Sequence, residues 1–110
     1  MGAKVSNNSY GGPTYSIAEN DVILQAGVQG HLFIAAAGNN ATDDDVITFY
    51  PACYPHDNVI AVASITSGDV LSSFSCYGDT TVDLAAPGSG VYSTVPAADY
   101  TSTYASYSGT

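Results

Sequence analysis

Basic side chains are nearly absent from this sequence. Its 110 residues include ten acidic residues but a single basic one, Lys4, so the formal net charge is −9. Binding to nucleic acid or to an anionic membrane surface requires a patch of lysine and arginine. The composition therefore predicts that neither is a partner of this chain.

Long hydrophobic runs and an export signal are also missing. No apolar stretch approaches the roughly 20 residues that a membrane-spanning helix needs, and the first six residues lack the apolar centre of a signal peptide. We therefore expect no membrane span, and an export signal would not be on this chain. Charged residues make up only 10% of the sequence, whereas the 45% that are hydrophobic are enough for the core of one small domain.

Cysteine is scarce as well, with Cys53 and Cys76 the only two in the chain. Two cysteines form either one disulfide or two buried free thiols, and the residues alone leave both alternatives open.

The most informative segment that is present runs from Leu32 to Asn39, where an apolar strand passes through three alanines into a glycine and an amide. Small residues allow another backbone to approach closely, and Gly38 permits a sharp exit from the strand. Asn39 then presents a neutral NH₂ donor at the strand end, which is what an acyl-transfer enzyme needs to stabilise an oxyanion. An ordinary asparagine turn after a strand is the alternative.

The hydrophobic pattern predicts a β-α-β unit followed by further strands. A strand over 3–9 precedes a helix over 17–29, which is capped by Ser16 or Thr14 and ended by Gly30. A continuously apolar strand over 31–37 is expected to be buried on both faces. Further strands are predicted over 58–66, 70–75, 81–86 and 91–95, whereas 100–110 gives no strong burial signal. The fold class is therefore α/β with a mostly parallel sheet and a flanking helix.

Six segments occur in a fixed order: Asn7-Asn8-Ser9-Tyr10-Gly11-Gly12-Pro13, Ala35-Ala36-Ala37-Gly38-Asn39, Tyr50-Pro51-Ala52 with Asn58-Val59-Ile60-Ala61-Val62, Ser73-Phe74-Ser75, Asp83-Leu84-Ala85-Ala86-Pro87-Gly88 and Ser108-Gly109-Thr110. Together they resemble the subtilisin family of serine proteases, whose catalytic residues occur in the order Asp, His, Ser. The resemblance implies that 1–110 is one partial peptidase domain of a three-layer fold. It runs from the substrate-binding strand to the residue before the nucleophile and carries no triad residue. His31 and His56 match no catalytic histidine of the family and are expected to be structural.

The resemblance also implies the roles of individual residues. Asn39 would donate to the oxyanion, and the backbone of Ser9, Tyr10 and Gly11 would pair with an extended peptide. The other residues implied in substrate binding are Gly12, Ala36, Ala37 and Gly38, of which the last three would form the second wall of the pocket for the residue before the cleaved bond. Phe49 would either narrow the base of that pocket or belong to the core.

A cation site and a disulfide follow from the same resemblance. Ala52 and Tyr54 would supply carbonyl oxygens and Asp83 a carboxylate to a hard cation such as Ca²⁺; the alternative is that Asp83 is a hydrogen-bonded structural residue. The segments that carry Cys53 and Cys76 lie near one another in the family, which implies a Cys53–Cys76 disulfide. The run 43–45 is expected to be a solvated loop rather than a metal site.

The function implied is that of a secreted or cell-surface serine endopeptidase, which cleaves peptide or protein substrates through an acyl-enzyme. The isolated chain is predicted to be inactive and to self-associate through uncovered apolar surface. A catalytically inactive subtilisin-like domain, kept for peptide binding or for structure, is the alternative.

Overall fold

Two sheets and one helix are formed by the residues that the computed structural model describes, which are 2–96 and 103–110. In chain order the elements are β1 (Val5–Asn8), α1 (Ile17–Val28), β2 (Leu32–Ala36), β3 (Val59–Ile65), β4 (Leu84–Pro87), β5 (Val91–Thr94) and β6 (Tyr104–Tyr107). The first four strands form a parallel sheet in the order β1-β2-β3-β4, and β5 and β6 form an antiparallel pair. The predicted α/β class and the β-α-β unit are confirmed.

Helix α1 begins and ends where the sequence places its signals. Ser16 is the N-cap, and its side chain accepts a hydrogen bond from the Glu19 N–H at 3.3 Å. Gly30 follows the C-cap with φ +74°, a left-handed conformation that glycine adopts without steric cost. The prediction of Ser16 or Thr14 as the cap is thus resolved in favour of Ser16.

The hydrophobic core lies between α1 and one face of the parallel sheet. Its buried members come from the helix, from β2 and β3 and from the loop between those strands: Ile23, Phe33, Ala35, Ala52, Tyr54, Val59 and Ala61. Within α1, Ile23 is 3% exposed, whereas Ile17 and Val22 are 72% and 68% exposed. The helix therefore contributes one deeply buried side chain rather than a continuous apolar stripe.

The second face of the parallel sheet is open, which corrects the prediction that β2 is buried on both faces. Phe33 and Ala35 are buried, but Leu32, Ile34 and Ala36 on the opposite face are partly or largely exposed. Similar side chains of β3 and β4 continue this surface beside them. We call Ile34, Ala36, Ile60, Val62, Leu84 and Ala86 the open sheet face; they line a mostly apolar cavity of about 350 Å³.

Two further predictions differ from the structure. Residues 70–75 contain one isolated bridge, between Ile65 and Leu71, and a turn at 73–74 rather than a strand. The side chain of Ser75 accepts the Ser64 N–H at 2.9 Å, so a serine hydroxyl replaces a regular strand partner. In the tail, where no strand is predicted, β6 pairs with β5; residues 100–102 lie outside the described residues.

Within the described residues, no helix has the length and apolar character needed to cross a membrane.

Candidate functional site

A cleft lies at the carboxyl ends of β1 and β2. Because parallel neighbours end at the same edge of a sheet, the segment after β1 and the segment after β2 face each other there. The cleft has a volume of about 380 Å³ and is lined by Ser9, Tyr10, Gly11, Gly12, Pro13, Ala36, Gly38, Asn39, Asn40, Phe49 and Thr110.

The structure brings together nearly all the residues that the sequence places in the oxyanion and substrate sites. Ala37 is the exception: its side chain is fully buried and is not part of the lining, because successive side chains of a strand point to opposite faces. Thr110 was not predicted to contribute. It reaches the cleft through contacts 71 residues apart in sequence, which no local pattern signals.

Asn39 is held by its carbonyl oxygen. That oxygen accepts hydrogen bonds from the Thr110 N–H at 3.0 Å and from the Thr110 hydroxyl at 3.1 Å. The Thr110 hydroxyl in turn accepts the Gly38 N–H at 3.2 Å. The NH₂ group of Asn39 has no hydrogen-bond partner among residues 2–96 and 103–110, so both of its protons are available to a ligand in the cleft.

The segment after β1 presents free backbone groups. Gly12 exchanges two hydrogen bonds of 2.8 Å with Tyr50, which fixes the end of the segment. In the described part of the chain the backbone of Tyr10 and Gly11 has no hydrogen-bond partner. The unpaired backbone groups of this segment can therefore pair with an extended peptide.

The side chain of Tyr10 is held in place by the helix. The Tyr10 hydroxyl donates to Glu19 at 3.1 Å, and burial together with this carboxylate raises the pKa of Tyr10.

Glycine is required at two positions of the cleft. A Cβ at Gly11 would overlap the Phe49 ring and lie 2.6 Å from the Tyr50 carbonyl oxygen. Gly38 has φ +120°, and a Cβ there would lie 3.1 Å from the Cys76 sulfur and 3.2 Å from the Phe49 ring. At Gly12 a Cβ would meet nothing, so close packing does not explain that glycine.

A second, polar cavity of about 260 Å³ contains all three residues of the predicted cation site, Ala52, Tyr54 and Asp83. One Asp83 oxygen accepts the Ala61 N–H at 2.8 Å, and the Tyr54 carbonyl accepts the His56 N–H at 2.9 Å. Asp83 therefore makes a structural hydrogen bond, as its alternative role requires. Its second carboxylate oxygen has no partner among the described residues. No cluster of three or more His, Cys, Asp or Glu side chains suited to a metal occurs in that part of the chain.

The cysteines are free thiols, so the implied Cys53–Cys76 disulfide is not formed in this structure. Each sulfur has its own partners: Cys53 accepts the Phe49 N–H at 3.2 Å, and Cys76 lies 3.2 Å from the Thr42 hydroxyl. Burial raises the pKa of the Cys53 thiol. Cys76 is fully buried against Gly38.

The acidic run 43–45 is only partly the solvated loop that was expected. Asp45 is exposed, but its carboxylate accepts hydrogen bonds from Asp79, Thr80 and Thr81, which lower its pKa to about 2. Asp44 is fully buried, and neither of its carboxylate oxygens has a hydrogen-bond partner in the described residues. Its burial raises the pKa of Asp44 to about 6, and the neighbouring Cys76 thiol offsets this rise only in part.

Both histidines lie in structural positions. One nitrogen of His31 is 2.9 Å from the Ser6 hydroxyl, and one nitrogen of His56 is 2.9 Å from the Asn20 side-chain oxygen. Neither histidine lines the cleft.

Comparison with known proteins agrees with this geometry. The sequence of residues 1–110 matches the family model of the subtilase family (Peptidase_S8). The chain is 47% identical over 110 residues to thermitase from Thermoactinomyces vulgaris, an alignment that covers 100% of this chain and 36% of thermitase. It is 41% identical over 102 residues to subtilisin DY from Bacillus licheniformis, covering 92% of this chain and 36% of that protein. A solved structure of a cold-adapted subtilisin-like serine proteinase superposes with a TM-score of 0.77 at 39% identity, covering 96% of this chain and 35% of the other.

The mostly parallel sheet with its flanking helix is the fold of the subtilisin-like proteases. The chain belongs to the subtilase family. It spans 36% of the length of thermitase and of subtilisin DY.

Proposed function

We propose that the protein containing this chain is a serine endopeptidase, which hydrolyses internal peptide bonds through an acyl-enzyme and uses Asn39 as an oxyanion donor. The observation that carries the proposal is the orientation of the Asn39 amide. Thr110 donates two hydrogen bonds to the Asn39 side-chain oxygen, so the Asn39 NH₂ group is free within the cleft. A neutral donor fixed before the reaction needs no reorganisation when negative charge develops on the carbonyl oxygen of the substrate.

The substrate would lie along the segment after β1 as an added strand. The unpaired backbone of Tyr10 and Gly11 supports this arrangement, since both groups lie in the same cleft as Asn39. Ser9, Gly12, Ala36 and Gly38 would complete the walls. The substrates proposed are peptides or unfolded protein segments, because pairing through the backbone requires an extended chain.

Calcium binding is part of the proposal. The site would take the carbonyl oxygens of Ala52 and Tyr54 and the unpartnered oxygen of Asp83, three residues that line one polar cavity. Oxygen ligands of this kind suit Ca²⁺, which would stabilise the loop between β2 and β3 without taking part in the reaction. We also propose that the whole protein is secreted or lies at the cell surface, because the chain is similar to subtilisins.

The proposal is tested by Asn39→Ala in the whole protein. Loss of one such donor in subtilisin itself lowers kcat by about 10²–10³, and we expect the same range here with little change in KM, because the donor acts mainly in the transition state. Steady-state kinetics on a peptide amide measures this effect. Gln25→Ala, which removes an exposed amide from α1, is the matched control and should leave kcat unchanged.

Two results would count against the proposal. Equal kcat in Asn39→Ala and in the unmodified protein would remove the oxyanion role. Peptide binding without any turnover by the whole protein would favour the inactive peptide-binding domain instead.

A further inference from the structure

Three serine side chains are joined in a row near the carboxyl ends of β3 and β4. The Ser64 and Ser72 hydroxyl oxygens are 2.8 Å apart, and those of Ser72 and Ser89 are 2.7 Å apart. Ser64 and Ser72 are 1% and 2% exposed, and Ser89 is half-buried. We call these three serines the hydroxyl chain. Because a buried hydroxyl without a partner is costly, the hydroxyl chain fixes the spacing of the backbone segments that carry it.

The hydroxyl chain is linked to the segment that carries Asn39. The Ser64 N–H donates to the Ser75 hydroxyl at 2.9 Å, and this hydroxyl donates to the Cys76 carbonyl at 2.9 Å. The Cys76 N–H donates to the Gly38 carbonyl at 2.8 Å. Gly38 directly precedes Asn39, so these bonds fix the backbone from which the proposed oxyanion donor projects.

The bend 88–90, which follows β4, is held on the same hydroxyl chain. The Gly88 N–H donates to the Ile65 carbonyl at 3.0 Å, and the Ser89 hydroxyl is the last member of the hydroxyl chain. A Cβ at Gly88 would lie 2.5 Å from the Ser64 hydroxyl oxygen, so the bend packs directly against the hydroxyl chain. These contacts set the position of the bend.

The segment 108–110 is attached to this bend and orients the Asn39 amide. The Gly109 N–H donates to the Gly88 carbonyl at 2.9 Å. The next residue, Thr110, donates hydrogen bonds of 3.0 and 3.1 Å to the Asn39 side-chain oxygen. A shift of the bend would therefore move Thr110 and release the amide.

We propose that Ser72 and Ser89 are positioning residues for the Asn39 amide. Their hydroxyls hold the bend 88–90 at the depth from which Thr110 directs this amide into the cleft. Neither serine lines the cleft, so both act through Asn39 rather than on the substrate. The inference rests on the proposed function, in which a donor misplaced by about 1 Å can cost ~100-fold in rate.

The experiment uses the whole protein and the variants Ser89→Ala and Ser72→Ala. Each variant removes the 2.7 Å hydrogen bond between the two hydroxyls. We expect kcat on a peptide amide to fall ~10-fold with KM nearly unchanged, because the misaligned donor acts mainly in the transition state. Ser89→Thr keeps the hydroxyl and should restore most of kcat. Because Ser89 is only half-buried, its variants give the same reading if Ser72→Ala does not fold.

Two further measurements test whether the serines act through Asn39. In the Asn39→Ala background, Ser89→Ala should lower kcat no further, since the amide that it positions is already absent. The second measurement is ¹⁵N relaxation of the Asn39 NH₂ group, which needs no turnover. This group should be rigid in the unmodified protein and in Ser89→Thr, and more mobile in Ser89→Ala.

Ser6→Ala is the matched control. The Ser6 hydroxyl is also half-buried and has two side-chain partners, Asn8 at 2.8 Å and His31 at 2.9 Å, but it lies in β1 and takes no part in the hydroxyl chain. Its loss should leave kcat and the mobility of the Asn39 amide unchanged. An equal fall of kcat in Ser6→Ala and Ser89→Ala would show a general loss of stability and would overturn the positioning role.

Failure of this inference is distinguishable from failure of the proposed function. An unchanged Asn39 amide in Ser89→Ala and Ser72→Ala, or a further fall of kcat in the Asn39→Ala background, overturns the positioning role and leaves the proposed function standing. A more mobile amide without a change in kcat overturns the oxyanion role instead. If the whole protein has no turnover, the proposed function is wrong, and the mobility of the amide alone decides for or against the positioning role.

Discussion

At the scale of single residues, Asp44 is a fully buried carboxyl group without a hydrogen-bond partner in the described residues. A buried polar group without a hydrogen-bond partner destabilises a protein by about 1–3 kcal/mol, and a charged one by more. Burial raises the pKa of Asp44 from 3.8 to about 6, so the folded state binds more protons than the unfolded state between these values. The contribution of Asp44 to stability is therefore greatest below about pH 4 and falls as the pH rises to about 6.

We predict that Asp44→Asn raises the free energy of unfolding above pH 6 by about 1–2 kcal/mol, because the neutral amide avoids burial of a charge. Near pH 4 the gain should disappear. Urea unfolding across this pH range measures the effect. Asp69→Asn, in an exposed turn with φ +58°, is the control and should keep the pH dependence of the unmodified chain. A gain that is the same at both pH values would contradict the prediction.

The cleft residues that could be predicted from the sequence are those whose positions depend only on their neighbours in the chain. Gly38 and Asn39 follow a strand directly, so their position at the strand end can be inferred from the pattern alone. The different environments of Asp44 and Asp45 could not be inferred, because they depend on the turn 79–81 and on Cys76, far along the chain. Thr110 was missed for the same reason.

At the scale of elements, the start of α1 depends on one serine hydroxyl. Ser16 accepts the Glu19 N–H, and the Glu19 side chain accepts hydrogen bonds from Tyr54 at 2.9 Å and from Tyr10 at 3.1 Å. The Ser16 N–H donates to the Tyr54 hydroxyl at 3.2 Å. The cap therefore connects the helix both to the core and to the wall of the cleft.

We predict that Ser16→Ala lowers the free energy of unfolding by about 1 kcal/mol, because one N–H of the first turn loses its acceptor. Ser16→Asp should retain most of the stability, since aspartate is an equally good N-cap. Thermal or urea unfolding gives the comparison, with Ser67→Ala in an exposed loop as the control. Equal stability of Ser16→Ala and the unmodified chain would show that the cap is not needed.

The strands show where a sequence pattern is sufficient and where it is not. The apolar runs that became β2 and β3 were predicted within two residues, because a short apolar run bounded by turn residues is itself a strand signal, although it did not reveal that one face is open. β6 was missed, since three of its four residues are exposed and the strand pairs with β5 through backbone bonds that any sequence can make. The segment 70–75 was overpredicted because its serine hydroxyls compete for backbone partners.

At the scale of the whole molecule, the open sheet face is a continuous apolar surface that no other element of the described residues covers. We predict that the isolated chain self-associates through it as concentration rises. Leu84→Lys, which places a charge on this face, should raise the concentration needed for association at least ~10-fold. Sedimentation velocity over a range of concentrations measures this shift.

Val22→Lys, on the exposed part of α1, is the matched control and should leave the association unchanged. A chain that stays monomeric at every concentration would remove the prediction. Association weakened equally by both substitutions would show that net charge, rather than this face, is responsible.

The contact between Thr110 and Asn39 also has a kinetic consequence. Closing a loop of 71 residues costs chain entropy before the contact contributes any stability. Such contacts therefore form late in folding. The amide acquires its direction only through this closure. In the peptidase proposed above, a nascent or partly folded copy would thus lack an aligned donor and would not digest unfolded neighbouring copies.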